Sequence, residues 1–345
     1  MLFFVDFVGF VIFVMPLCTM GAMHDAPTVR ARGGFVAEAV AHEPLCDEHY
    51  LLRLRLASFP PSRPGQFVQL RCGPEAQPPA EPQQRPWTPG RGPELSQPEL
   101  TAAAPLLRRP FSLAGRGDTP AGVELDVIYR TVGMGTRLLT AAPVGARLSL
   151  LGPLGNGFTV LADRRAAAVI GGGVGIPPML YLADALAAAG KTAVAFAGAR
   201  SRALLPLHVT AEPPSDPAGP PAVCTAEFAR SGTPTVIATD DGSAGFGGFV
   251  SDAFEHWLSS GAAAADDLAV YCCGPEALMR RVGEVCIARG IPCQLALERH
   301  MACGMGTCQS CIVRVRDENA PEDRGWSYKL CCSDGPVFNA TDVLW

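Results

Sequence analysis

The stretch Ala166-Ala-Ala-Val-Ile170-Gly-Gly-Gly-Val-Gly175-Ile-Pro-Pro178 decides the fold class. Residues 166–170 read as a buried strand, 171–175 as a glycine turn and 177–189 as a helix. A glycine turn between strand and helix lets backbone approach a pyrophosphate at the positive helix N-terminus, and tight strand–helix packing uses glycine equally well. Working outward, apolar strands recur at 194–197, 235–238 and 268–272, with helices at 249–259 and 276–288. Strand–helix alternation of this kind predicts a parallel sheet covered on both faces, over residues 162–297. The glycine pattern is not a strict G-x-G-x-x-G. The next strand ends Gly198-Ala199-Arg200-Ser201 without an acidic residue, so the choice between NAD and NADP stays open.

Before residue 162 the texture differs. Strand-like runs fall at 35–59, 66–72, 111–114, 123–129 and 147–150, separated by Gly/Pro turns, and predict a small antiparallel barrel over 33–161. Residues 73–105 are proline-rich without an apolar period, which reads as a loop insertion with no core of its own. Residues 1–32 begin with the apolar run MLFFVDFVGFVIFVMPLCTM. It lacks a basic n-region, is interrupted by Asp6 and is closed by Pro16 before it reaches bilayer-spanning length. The expectation is a non-native extension from an upstream start codon, with Met15, Met20 or Met23 as alternative starts.

Length and composition bound the function. The 345 residues are 48% hydrophobic and 18% charged, with net charge -5 and pI near 5.7, enough for two or three packed domains. No Lys/Arg run supports an electrostatic nucleic-acid surface, so no nucleic-acid partner and no firm membrane contact are expected. Of 13 cysteines, Cys303, Cys308, Cys311, Cys331 and Cys332 crowd into thirty residues. An odd count clustered in a long chain points to a metal centre in a reducing, cytoplasmic compartment rather than a disulfide scaffold.

The cluster has a recognisable spacing. Cys303-Gly-Met-Gly-Thr-Cys308-Gln-Ser-Cys311 is C-x4-C-x2-C, with Cys331 and Cys332 about twenty residues on. That is the plant-type 2Fe–2S arrangement, three thiolates from one loop and a fourth from later in the chain. Zinc is the competitor, but it usually takes two short knuckles and only one is present. Spacing does not choose between Cys331 and Cys332.

Three further stretches offer groups for chemistry, and each reads equally as plain strand or turn structure when taken alone. Arg109-Pro110-Phe111-Ser112 offers a guanidinium, a flat ring and a hydroxyl on one predicted strand. Tyr129-Arg130 and Gly133-Met134-Gly135-Thr136 add a cation and a glycine turn before a short helix. Tyr271-Cys272-Cys273-Gly274-Pro275 ends a strand where open α/β sheets bind ligands.

Taken in order, these residues resemble the ferredoxin–NADP reductase superfamily. The motifs Leu297-Glu-Arg-His-Met-Ala-Cys303-Gly304 and Cys332-Ser-Asp-Gly-Pro-Val-Phe338 resemble the electron-transfer subunit family of class 1B dihydroorotate dehydrogenase. The resemblance implies a multi-domain β plus α/β fold: an antiparallel flavin-binding barrel, a Rossmann-like nicotinamide domain, and a small 2Fe–2S domain over 298–345. It implies FAD held by Arg109, Pro110, Phe111, Ser112, Ile128, Tyr129 and Arg130, with Gly135 and Thr136 at its pyrophosphate. NAD would dock over Gly171, Gly172, Gly173 and Gly175, with its nicotinamide near Cys273, Gly274 and Pro275. Cys303, Cys308, Cys311 and Cys332 would ligate the cluster. The implied partner is an FMN-containing catalytic subunit that oxidises dihydroorotate in pyrimidine biosynthesis, in a heterotetramer. Electrons would pass from that FMN through the cluster and FAD to NAD+, and no side chain here would act as acid or base on dihydroorotate itself. The alternative is a small subunit of a related flavin/iron–sulfur reductase, such as a ferredoxin:NADP transhydrogenase or a sulfhydrogenase gamma subunit. The insertion and the apolar N-terminus look foreign to the family pattern, and neither touches a matched motif.

Overall fold

The computed structural model describes residues 33–73, 107–320 and 324–345. The apolar extension 1–32 and the proline-rich insertion from residue 74 onward lie outside the described residues. The described residues pack as a single unit.

The first sheet contains β1 (Gly33–Cys46), β2 (His49–Leu56), β3 (Phe67–Leu70), β4 (Arg109–Ser112), β5 (Gly115–Thr119), β6 (Gly122–Arg130) and β7 (Arg147–Leu154). Its order is β4-β3-β7-β1-β2-β6-β5 and every pairing is antiparallel, the curled sheet expected from the short-strand pattern. Period-2 alternation sets the register. Leu52, Leu54 and Leu56 point inward with Val123, Leu125 and Val127. On the outer face Arg53 meets Asp126 and Arg55 meets Glu124, each at 2.7 Å. Such half-exposed pairs contribute little stability; burial of the leucine face decides the pairing. The run read as one strand over 35–59 is a hairpin, reversed at Asp47-Glu48 with Glu48 at φ 61°. The helix α1 (Met134–Thr140) connects β6 to β7.

The second sheet contains β8 (Ala166–Gly172), β9 (Thr192–Ala199), β10 (Thr235–Thr239), β11 (Phe246–Gly247), β12 (Leu268–Cys273) and β13 (Cys293–Ala296), all parallel, in the order β11-β10-β9-β8-β12-β13. Its helices are α2 (Ile176–Ala188), the short α3 (Ala226–Ala229), α4 (Val250–Ser259) and α5 (Glu276–Ala288). Both faces are buried, so β8 reads as a continuous apolar run. Ala167 and Val169 pack with Met179, Leu182 and Leu186 of α2, while Ala168 and Ile170 pack with Phe254, Trp257 and Val282 of α4 and α5.

The C-terminal segment folds as β14 (Ile312–Arg316), β15 (Trp326–Leu330) and β17 (Val343–Leu344), a small antiparallel sheet. Between β15 and β17 the chain leaves it: β16 (Val337–Asn339) pairs antiparallel with β13 at the edge of the parallel sheet. The cysteine-rich tail therefore shares a core with the α4/α5 face, where Cys311, Cys331, Cys332, Val313 and Val315 join Phe254 and Leu295. Among the described residues, no helix is long and apolar enough to cross a membrane.

Candidate functional site

A cleft of about 920 Å³ opens between the two large sheets. One wall is β4, the end of β6 and the turn into α1. β4 is an edge strand, which tolerates Pro110, and it pairs with β3 in the register Phe67↔Ser112, Val68↔Phe111. Arg109, Pro110, Phe111, Ser112, Ile128, Tyr129, Arg130 and Thr136 all line the cleft. Phe111 is also a core residue, edge-on to Tyr129 at 5.7 Å. Tyr129 stacks on Tyr50 and its hydroxyl meets His42 Nε2 at 2.8 Å; burial holds the phenol far above its ordinary pKa, so it stays neutral. Arg130 donates to Glu48 at 2.8 Å and thereby holds that carboxyl below the usual glutamate range. The Arg109 guanidinium donates to the carbonyls of Leu107 and Arg108, and no carboxylate among the described residues pairs with it.

Gly135 and Thr136 also shape the turn beneath this wall. Gly135 lies under Arg109, whose Cγ and Nε would sit 3.2 Å from any Cβ there. Thr136 accepts from the Val132 and Gly133 amides at 3.0 and 3.2 Å, tying the turn that ends at α1.

The opposite wall is the glycine turn and the ends of β9, β10 and β12. Pro177 and Pro178 open α2 with φ preset for a helix and no amide to orphan. Gly172, Gly173 and Gly175 line the cleft together with Cys273, Gly274 and Pro275, whereas Gly171 lies behind it. At Gly175 a Cβ would fall 2.2 Å from the Cys273 carbonyl oxygen, so only glycine lets α2 start this close to β12. Packing and ligand access are thus both served by the turn. Burial, helped by the Glu298 charge, pushes the Cys273 thiol up to about 12, leaving a neutral polar lining at neutral pH.

The thiols of the tail fall into two pairs. The Cys308 amide donates to Cys303 Sγ at 3.4 Å, as does that of Met305, and the Cys332 amide donates to Cys311 Sγ at 3.4 Å. Hydrogen bonding by Ser310 and the Cys303 segment lowers the exposed Cys308 thiol to about 6; burial beside Cys311 pushes Cys332 up to about 12. Cys331 faces the other way, its thiol 3.2 Å from the Leu297 carbonyl. Among the described residues no three such side chains converge on a single-ion site. Two separated thiol pairs instead suit a two-iron centre, in which each iron takes two ligands.

Sequence reasoning missed what holds this loop in place. Asn156, between β7 and β8, donates to the carbonyls of Asp334 and Val337 at 2.9 and 2.8 Å and accepts from the Val337 amide at 2.8 Å. An Asn between two glycines reads as an ordinary turn, so nothing in the local pattern marked it. His49 and Phe249, isolated in their strand and helix contexts, also line the cleft.

This geometry defines a class: a reductase of the ferredoxin-reductase fold, with two cofactor walls on one chain and an appended thiol-rich domain. Solved structures bear the fold out. The NADH-dependent reduced ferredoxin–NADP oxidoreductase superposes with a TM-score of 0.64 over 90% of both chains at 23% identity. Phthalate dioxygenase reductase does so at 0.50 over 87% of this chain and 94% of its own, at 16% identity. Residues 298–344 match the iron–sulfur cluster binding domain of dihydroorotate dehydrogenase B. The electron transfer subunit of dihydroorotate dehydrogenase B (NAD+) from Geobacillus thermodenitrificans is 39% identical over 245 residues, 70% of this chain and 82% of the relative. The subunit of that name from Desulforamulus reducens is 31% identical over 82% of this chain and 87% of its own. The chain belongs to the dihydroorotate dehydrogenase B electron-transfer subunit family.

Proposed function

We propose that this chain is the electron-transfer subunit of an NAD-dependent dihydroorotate dehydrogenase, acting in the cytoplasm on an FMN-containing catalytic partner in a heterotetramer. The observation that carries the reading is the joining, in one fold, of a two-walled cleft to a loop of paired thiols. When bound, the cofactors supply one-electron transfer at a 2Fe–2S centre and hydride exchange between FAD and NAD+.

The chain's residues bind and orient. Arg109 and Arg130 set cationic groups at the wall where a flavin dinucleotide would place its phosphates. Ser112 and the neutral Tyr129 offer hydroxyls, Ile128 and Pro110 apolar surface, and Gly135 and Thr136 shape the turn beneath. Gly172, Gly173 and Gly175 leave backbone open at the start of α2 for the nicotinamide dinucleotide, with Gly171 supporting them and Cys273, Gly274 and Pro275 lining its reactive end. Cys303 with Cys308, and Cys311 with Cys332, would hold the two irons; Cys331 is committed to Leu297 and stays a buried thiol. On this reading the partner would oxidise dihydroorotate, and the cleft residues of this chain would only bind and orient cofactors.

The test is a pair of steady-state assays. Cys308→Ser should keep NADH-driven reduction of an artificial acceptor and lose dihydroorotate-driven NAD+ reduction in the complex reconstituted with the partner. Undiminished dihydroorotate-to-NAD+ turnover in protein shown to lack iron would refute the relay.

A further inference from the structure

We infer that the side-chain amide of Gln69 is a positioning residue for the iron–sulfur centre, donating a hydrogen bond from the flavin sheet to a sulfur held by the Cys303–Cys311 loop. The inference rests on the cluster reading above. It starts from a polar residue where the pattern calls for an apolar one. β3 lies between β4 and β7, and all four of its residues are buried. Val68 and Leu70 face the interior of the first sheet with Leu150 and Leu52. Phe67, two residues from Gln69 and so on the same face, packs in the core that also holds Cys311, Cys331 and Cys332. Gln69 therefore points out of the barrel and toward the tail.

What it reaches is Gly304. That residue sits at φ +68°, and a Cβ there would fall 2.2 Å from Gln69 Nε2 and 2.6 Å from its Cδ. The amide packs directly on the backbone next to Cys303, and glycine is required at 304 both for the left-handed backbone and for the space. Gln69 is 1% exposed, and its Nε2 is buried with no hydrogen-bond partner among the described residues. A buried donor left unpaired costs about 1–3 kcal/mol, so such groups persist where something takes the bond. The loop's own Met305 and Cys308 amides are already spent on Cys303 Sγ. Thiolate and sulfide sulfurs of a bound centre are acceptors, and they gain negative charge on reduction. Hydrogen bonds to cluster sulfurs tune the reduction potential, and a donor favours the reduced form. Because Gln69 pairs with Pro110 in the β3–β4 register, the strand pair that walls the cleft would also set the ease of reducing the cluster.

The experiment is an EPR-monitored redox titration of purified protein carrying its cofactors. Gln69→Met keeps length and volume without the donor. It should retain wild-type iron and sulfide and lower the reduced-to-oxidised ratio at fixed poise about tenfold, which is 59 mV for a one-electron couple. Gln69→Glu, which adds a like charge, should move further in the same direction. A Gln69→Met protein with full iron and the wild-type potential overturns the inference. A second measurement leaves Gln69 in place. Protein labelled with 15N only at glutamine side-chain amides, in a Gln309→Gly background that removes the loop's own glutamine, should show a weak 15N coupling in pulsed EPR of the reduced centre. Absence of that coupling also overturns it. A wild-type protein without any 2Fe–2S spectrum would instead remove the cluster reading itself.

Discussion

Asn156 is a single side chain that joins the flavin sheet to the segment carrying the last cysteine, and its removal has a calculable cost. Asn156→Ala deletes three hydrogen bonds, to the Asp334 and Val337 carbonyls and from the Val337 amide, and leaves the backbone bond from its own amide to Gly335. At roughly 1 kcal/mol net for each bond the loss is about 3 kcal/mol. The effect falls on local opening of the 330–338 segment, since both large sheets keep their cores. At 1.36 kcal/mol per decade, 3 kcal/mol raises the open population about 150-fold. Hydrogen exchange by mass spectrometry reads this directly: peptides spanning 330–338 should lose about two decades of protection, while β2 and β6 peptides remain at wild-type rates. Iron loss on exposure to a chelator should quicken in parallel, because Cys332 lies in the opened segment. Equal exchange in variant and wild type across 330–338 would refute the assignment of Asn156 as the clamp.

Cys332→Ser should strip most iron and sulfide from anaerobically purified protein whereas Cys331→Ser keeps them, since the Cys332 amide reaches Cys311 Sγ while the Cys331 thiol is spent on the Leu297 carbonyl; equal loss in both sinks the ligand assignment. Gly175→Ala drives a methyl to within 2.2 Å of the Cys273 carbonyl, so α2 must move from β12. Overpacking of this kind costs about 1–3 kcal/mol or more, and a melting temperature matching wild type would contradict the packing argument. The Glu48 carboxyl should titrate below the ordinary glutamate range by 13C NMR and rise in Arg130→Gln, because the Arg130 hydrogen bond is the largest cause of its shift. Its contribution to stability is present above the unfolded glutamate pKa and lost as pH falls through the lowered value; a midpoint insensitive to Arg130→Gln is the contrary result.

What could be read from the chain alone is what short-range pattern encodes. The apolar run 166–170, the glycine turn and Pro177-Pro178 specify strand, turn and helix through local sterics, and α2 and α5 lie within a residue of their expected bounds. C-x4-C-x2-C places three thiols in one loop because the spacing is itself the geometry. The division of labour among the glycines was not legible, since it depends on what each meets in the fold: Gly171 packs on Ile176 at the start of α2, Gly175 on the Cys273 carbonyl of β12, and Gly173, at φ +54°, on open space. Nor were the different surroundings of Cys331 and Cys332 legible by spacing. In the turn after β15 the Cys331 thiol meets the Leu297 carbonyl while the Cys332 amide meets Cys311 Sγ, contacts with residues 34 and 21 positions away. Gln69 and Asn156 are the clearest cases: each is an unremarkable polar residue in its own segment. Each acquires its role from a partner more than 170 residues away, whose approach depends on how two sheets and a tail pack together.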